Sequence, residues 1–213
     1  AYLILSLESM KKKNYEKSKD YLEQSYEFIN SNKIELIIAE TLKQYLYVFE
    51  QKKLPQAKKN YGDFSLINEV FQRCHLKDKN TKKYFNNIVN QQNGEDYSRY
   101  IFFYMNYLIE NNNYEEAKKV ADSLDYLNSS LLISQGKKWI DDERINEFEK
   151  IFSCKDPNDL ISEFFFLVAN LYSSENRYEE SNFYLNISNY LNPKFKFNLS
   201  LLAENYYQNK DNL

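Results

Sequence analysis

The side chains best suited to metal or nucleophilic chemistry are few in this chain. It contains one histidine, His75, which directly follows Cys74, and one further cysteine, Cys154. A structural zinc site usually needs four protein ligands and a catalytic site three. With so few ligands we expect no metal site, and we interpret the adjacent Cys74 and His75 as the end of a helix. Two cysteines cannot form a framework of several disulfides, and they fit either an oxidising or a reducing compartment.

Phosphate-binding loops and paired carboxylates give no stronger signal of catalysis. The three glycines Gly62, Gly94 and Gly136 are isolated, whereas a phosphate loop groups its glycines before a helix. The acidic run at 141–143 is interpreted as a helix start, where the helix dipole favours negative charge. Carboxylates are numerous enough for an acid–base pair of the glycoside-hydrolysis type, but no spacing singles one out. We therefore expect a non-enzymatic protein without catalytic residues or cofactors.

Composition indicates a folded, helical protein. The 213 residues are 43% hydrophobic and 28% charged, with a net charge of −3, a balance typical of folded chains rather than disordered ones. That charge argues against a nucleic-acid partner, which requires a basic face. The longest apolar runs fall short of the ~20 residues of a spanning helix, so we expect no membrane insertion. Only three Gly and three Pro favour long helices over hairpin-rich sheets.

Apolar residues recur at spacings of three and four along most of the chain, which predicts amphipathic helices. A helix is expected to begin at Leu54-Pro55 and to run to His75 with a break at Gly62, since proline is favoured at the first helical position. Asp156 and Pro157 predict another sharp helix start. The remaining predicted helices cover residues 2–10, 15–29, 34–51, 78–92, 96–110, 114–127, 130–139, 141–152, 178–192 and 197–208.

One local motif occurs three times. Tyr15, Tyr114 and Tyr178 each follow an Asn-containing hinge and each begin a helix with Glu at the next position. Their separations are close to multiples of 32 or 33 residues. A helix–turn–helix unit of about 34 residues is the signature of tetratricopeptide repeats.

The pattern resembles the tetratricopeptide repeat family. Its best-matching repeat carries small residues at Ala169, Ser181 and Ser188 and a closing Pro193, and small residues allow facing helices to approach closely. The resemblance implies an all-α fold, a right-handed superhelix (α-solenoid) of antiparallel helix pairs. We expect a single domain over 1–213 that is a fragment of a longer solenoid. Its expected repeats are 1–32, 33–76, 96–128 and 156–193, with irregular segments at 77–95 and 129–155 and a truncated repeat at 194–213.

The resemblance also implies where a partner would bind. The first helix of each pair lines a concave groove, so the chain is expected to be a scaffold that binds a peptide or protein segment there. Asn106 and Asn170 fall at matching places in two repeats. Their amides can both donate to and accept from a peptide backbone, although both side chains could equally be solvated. The expected groove residues are Arg99, Phe102, Asn106, Ile109, Glu163, Phe166, Asn170 and Ser173.

Two other hypotheses stay open. The chain could be the helical portion of a larger enzyme or envelope assembly whose chemistry lies elsewhere. Self-association through the unpaired C-terminal helix is the third hypothesis, because Leu199, Leu202 and Tyr206 would give that helix an uncovered apolar face. The sequence names neither the partner nor the compartment.

Overall fold

Every regular element in the described part of the chain is helical, which confirms the predicted all-α class. The computed structural model describes residues 1–26, 33–56, 59–90, 98–124 and 130–210. None of the helices in these ranges combines the length and the apolar character that a membrane crossing requires. The α-helices are α1 (Tyr2–Lys11), α2 (Tyr15–Tyr26), α3 (Lys33–Gln51), α4 (Asp63–His75), α5 (Thr81–Val89), α6 (Ser98–Glu110), α7 (Tyr114–Asp122), α8 (Leu131–Asp141), α9 (Asn146–Ile151), α10 (Pro157–Ser174), α11 (Tyr178–Leu191) and α12 (Leu199–Lys210).

The three tyrosine motifs share one backbone hinge. Lys13, Asn112 and Asn176 precede the tyrosine helices and have φ values of 60°, 58° and 59°. In each hinge the next N–H donates to the carbonyl five residues earlier, which closes the preceding helix as left-handed caps do. The three donor–acceptor distances are 2.9 Å (Asn14 N to Ser9 O), 2.8 Å (Asn113 N to Leu108 O) and 2.9 Å (Arg177 N to Tyr172 O).

Two more hinges extend this series. Lys77 and Glu143 also have positive φ values, 55° and 58°, and the N–H groups of Asp78 and Arg144 complete the same bonds at 2.9 and 2.7 Å. Hinges at 77, 112, 143 and 176 therefore recur at intervals close to the ~34 residues of a helix-pair repeat. The segments predicted as irregular keep this rhythm too.

Reciprocal serine contacts hold two of the helix pairs together. Ser6 Oγ donates to Ser18 O and Ser18 Oγ to Ser6 O, both at 2.8 Å, between α1 and α2. Ser162 and Ser188 repeat the arrangement between α10 and α11, again at 2.8 Å. All four serines are buried. The helices approach closely at these points because the side chains are small and satisfy their own hydroxyl groups.

Helix α10 lies at the centre of the molecule, packed against α1, α3, α4 and α11. The first helix consequently reaches the pair near the other end of the chain, and Lys11 Nζ donates to Tyr190 O at 2.8 Å. One hydrophobic cluster runs through the described helices from Leu7 to Leu201. Helix α10 therefore contacts helices from both ends of the described chain.

Two predicted helix starts are wrong. Leu54 and Pro55 lie outside any helix, and α4 begins only at Asp63, after Gly62 adopts a φ of 66°. The acidic run at 141–143 does not begin a helix either. Helix α8 runs through the buried Trp139 to Asp141, so the acidic run lies at its end. Glu143 then forms the hinge, because its φ of 58° cannot continue a right-handed helix. The predicted start at Asp156 is confirmed, since its Oδ1 accepts from Asn158 N at 2.9 Å.

Candidate partner-binding site

Half of the predicted groove residues are interior residues. The exposed fractions are 0% for Phe102, 2% for Asn106, 6% for Ile109 and 2% for Glu163. A side chain that solvent does not reach cannot line an open groove. Phe102, Asn106 and Glu163 therefore do not line an open groove in this structure, whereas Ile109 forms part of the wall of a separate surface pocket beside Tyr114.

Helix α6 loses its open face because the chain after it folds back over it. Phe102 stacks on Phe148 with 5.1 Å between ring centroids, and it meets Trp139 edge-on. Asn106 Nδ2 donates to Phe152 O at 2.8 Å. The Asn106 amide therefore bonds to the backbone of this chain and not to that of a partner.

Arg99 and Glu163 pair with each other, although Arg99 also lines a surface pocket beside Leu131. Arg99 Nε and Nη2 donate to the two Glu163 carboxylate oxygens at 2.7 and 2.6 Å. The guanidinium also donates to Asn198 Oδ1 at 2.6 Å and lies 3.7 Å from the Phe166 ring centroid. Burial raises the pKa of Glu163, while the neighbouring guanidinium opposes that shift. This bidentate pair joins α6 to α10 and is part of the packing.

The last two predicted groove residues lie at the other end of α10. Asn170 is exposed and Ser173 is half-buried, with Ser173 Oγ donating to Asn205 Oδ1 of α12 at 2.6 Å. Asn106 and Asn170 share no exposed surface, because Asn106 is buried. The two matching amides do not form one binding ladder.

An apolar groove lies between α1 and α11. It encloses about 450 Å³. Four large side chains line it and remain half-exposed: Ile4 at 45%, Leu5 at 42%, Phe183 at 48% and Tyr190 at 49%. Apolar side chains that are exposed side by side indicate an interaction surface, whereas singly scattered ones do not.

Polar contacts fix one end of this groove, which we call the α1–α11 groove. The Lys11 ammonium lies 3.7 Å from the centroid of the Tyr190 ring in addition to its bond with the Tyr190 carbonyl. The Tyr190 hydroxyl donates to the Glu8 carboxylate, and Lys12 Nζ is 2.7 Å from the other Glu8 oxygen. The pKa of Glu8 is lowered by its bond with Lys12 and then by the Tyr190 hydroxyl. The two helices are therefore held side by side by their own side chains.

Sequence reasoning missed this groove although a signal was present. Phe183 and Tyr190 are seven residues apart on α11, which places them two turns apart on one face, away from the inward Ser181 and Ser188. Helix α1 carries Ile4 and Leu5 in addition to its inward Leu7. What the sequence did not reveal was that these two faces, so far apart in the chain, adjoin.

The two cysteines form a disulfide that the sequence reasoning did not anticipate. Cys74 at the end of α4 is bonded to Cys154, with 5.7 Å between the Cα atoms. His75 Nδ1 lies 2.9 Å from the Cys154 carbonyl oxygen, and burial lowers the pKa of His75. Among the described residues no group of three or more His, Cys, Asp or Glu side chains is placed to hold a metal ion. The interpretation of His75 as a helix-end residue is consistent with these contacts.

Comparisons with protein-family models, with curated proteins and with solved structures gave no match for this chain.

Proposed function

We propose that the chain is a non-enzymatic, tetratricopeptide-like scaffold that binds a helical segment of another protein in the α1–α11 groove. The recurring hinges at 77, 112, 143 and 176 support the repeat assignment. Because α1 packs against α10 and its side chains contact α11, the first and last described helix pairs adjoin, and the proposed partner surface is the groove between α1 and α11. It replaces the inner face expected from the sequence.

The half-exposed apolar lining of the groove carries this proposal. Ile4 and Leu5 form one wall and Phe183 and Tyr190 the other, over about two helical turns of α11. An apolar trough between two helices suits the apolar face of a third helix, whose anchors recur at spacings of three, four and seven. The polar groups at its end are engaged with each other, since Glu8 is bonded to both Lys12 and Tyr190. The groove therefore offers contact area rather than reactive groups.

A selection from displayed amphipathic helical peptides tests the proposal. We expect enriched peptides to bind the wild-type protein and to lose at least tenfold in affinity when Leu5 and Phe183 are both changed to Glu, since two apolar anchors are removed from water-excluded contact. Tyr207→Glu on α12 is the matched control, because Tyr207 is also a large exposed side chain, 66% exposed. Far-UV circular dichroism must show that all variants keep their helicity.

Two results would overturn the proposal. One is a selection that yields no peptide binding above background. The other is binding that the Leu5→Glu/Phe183→Glu variant retains in full. Sedimentation velocity separates the remaining occupant, a second copy of this chain. A dimer that dissociates in the same groove variant would assign the groove to self-association, whereas a dimer that Tyr206→Glu dissociates would assign that role to α12, where Tyr206 is 56% exposed.

A further inference from the structure

The α1–α11 groove carries opposite charges at its two ends. On α1 the groove residues Ile4 and Glu8 are followed one turn later by Lys11 and Lys12, which continue the same face at spacings of three and four. Lys13 follows in the hinge, and its side chain is exposed. Lys11 lies against Tyr190 and Lys12 is bonded to Glu8, so this end of the groove carries three ammonium groups and one carboxylate, a net positive charge.

Helix α11 supplies the opposite charge at the other end. Glu179 precedes the groove residue Phe183 by four positions, so it lies one turn away on the same face. Glu179 is exposed in the first turn of α11, beside Glu180. Because Glu180 is already bonded to Arg177 at 2.5 Å, Glu179 is the carboxylate available to a partner at this end.

The two helices run in the same direction along the groove. Tyr190, in the last turn of α11, contacts Glu8 and Lys11 in the last turns of α1. Ile4 and Phe183 line the groove further towards the two N-termini. The lysines of α1 therefore lie beyond one end of the apolar lining, and Glu179 lies beyond the other.

We infer that the groove selects a partner helix with opposite charges at its two ends, acidic in the first turn and basic in the last. This helix docks antiparallel to α1 and α11. This inference rests on the proposed function, since it assigns the chemistry and direction of the partner in the same groove. The acidic first turn lies beside Lys11, Lys12 and Lys13. The basic last turn lies beside Glu179.

Helix electrostatics favour this direction over the reverse. Helices are stabilised by acidic side chains at the N-terminus and basic ones at the C-terminus, so the required pattern is also the one that an isolated helix prefers. Reversing the partner would bring its basic turn to the three lysines, and like charges placed together suppress wrong arrangements. The apolar lining sets the contact area and the charged ends set the direction.

The test repeats the peptide selection with reversed charges. Against the wild-type protein we expect enriched peptides to carry Asp or Glu in the first turn and Lys or Arg in the last. Changing Lys12 and Lys13 to Glu should lower the affinity for these peptides about tenfold at low salt. Adding Glu179→Lys to that variant should make the selection enrich peptides with the opposite charge pattern. A spin label at the N-terminus of the peptide should broaden the NMR signals of residues near Lys13, and a spin label at its C-terminus should not.

The control is Lys83→Glu on α5, which reverses an exposed lysine on a helix that packs against α4 and α6. It should leave both affinity and pattern unchanged. Peptides that bind the groove without an end-to-end charge bias, or whose pattern survives reversal, would overturn this inference and leave the proposed function standing. Peptides that ignore Leu5→Glu/Phe183→Glu would overturn both.

Discussion

Asp159 is the buried carboxyl group whose surroundings have the clearest consequence for stability. It lies in the first turn of α10 and is 8% exposed, with Oδ2 accepting from Ser153 N at 2.8 Å. Burial raises the pKa of Asp159 to about 7, and the nearby Asp156 and Glu110 carboxylates add to the shift, whereas the Ser153 N–H and Lys194 oppose it. The folded state therefore holds the Asp159 proton far more tightly than the unfolded chain does.

Stability should accordingly fall as the pH rises through neutrality. The contribution of protonated Asp159 is fully present below the unfolded pKa near 4 and is lost as the pH passes 7. We expect the unfolding free energy of the wild type to fall by about 2–4 kcal/mol between pH 4 and pH 8 because of Asp159. This fall should be absent in Asp159→Asn, which keeps an oxygen to accept from Ser153 N–H. Urea unfolding of both proteins across this range measures the difference. Asp142→Asn at an exposed position is the control, and an identical pH profile for Asp159→Asn and wild type would contradict the assignment.

At the same scale, the sequence did not identify the partners of the polar side chains assigned to the groove. Arg99 and Glu163 were expected in one groove and are indeed adjacent, but they are bonded to each other. The Asn106 amide was expected to bind a peptide backbone, and it binds the carbonyl of Phe152. Neither partner is visible from spacing along one helix, because each lies on an element distant in sequence.

At the scale of the helices, Gly136 marks a close approach of α8 to α6. A Cβ atom at this position would lie 2.9 Å from Cδ2 and 3.3 Å from Cε2 of Phe102, and 3.1 Å from Cε of Met105. Glycine inside a helix costs about 1 kcal/mol relative to alanine. The structure gives the reason for tolerating it, since the buried Phe102 ring fills the space that a methyl group would need.

Gly136→Ala should therefore destabilise the protein although alanine favours helix. The propensity gain is about 1 kcal/mol, and overpacking a filled core costs about 1–3 kcal/mol, so we expect a net loss of up to about 2 kcal/mol. Thermal unfolding measures it. In a Phe102→Leu background the cost should shrink, because the clashing ring is gone, and the coupling shows as non-additivity. An additive cycle, or a stabilised Gly136→Ala protein, would show that the helices separate freely.

Helix boundaries were predictable where local chemistry determines them. The Asn-containing hinges before Tyr114 and Tyr178 set a left-handed residue that ends one helix and begins the next. Asp156 with Pro157 likewise fixed the start of α10. The start expected at Pro55 failed because proline permits a helix start without requiring one, and the chain turns at Gly62 instead. Asn93 and Gly94, a pair that is typical of turns, lie outside the described residues.

At the scale of the whole molecule, the repeat pattern predicted pairing within hairpins but not the closure of the chain. A repeat is read from neighbouring residues, and its packing on the next repeat follows. The contact between Lys11 and Tyr190 joins positions 179 residues apart, so nothing in a local pattern announces it. The α1–α11 groove exists only because of this closure, which is why the sequence did not place the candidate site there.

The disulfide also joins parts of the chain that are distant in sequence. Cys74 and Cys154 are separated by 80 residues, and the loop that they close contains α5 to α9. Cross-linking residues this far apart removes conformational freedom from the unfolded chain, by about 2–4 kcal/mol in typical cases. Such bonds persist in oxidising compartments. The bond is also buried, since both cysteines are less than 7% exposed.

Reduction should therefore lower the unfolding free energy by about 2–4 kcal/mol and the melting temperature by about 4–16 °C for a chain of this size, without loss of helicity at low temperature. Calorimetry with and without dithiothreitol measures the shift, and alkylation followed by mass spectrometry confirms that both thiols are free. The Cys74→Ser/Cys154→Ser protein is the control: it should melt near the reduced wild type and ignore the reductant. Full reduction with an unchanged melting temperature would mean that the folded contacts around α10 alone fix the closure.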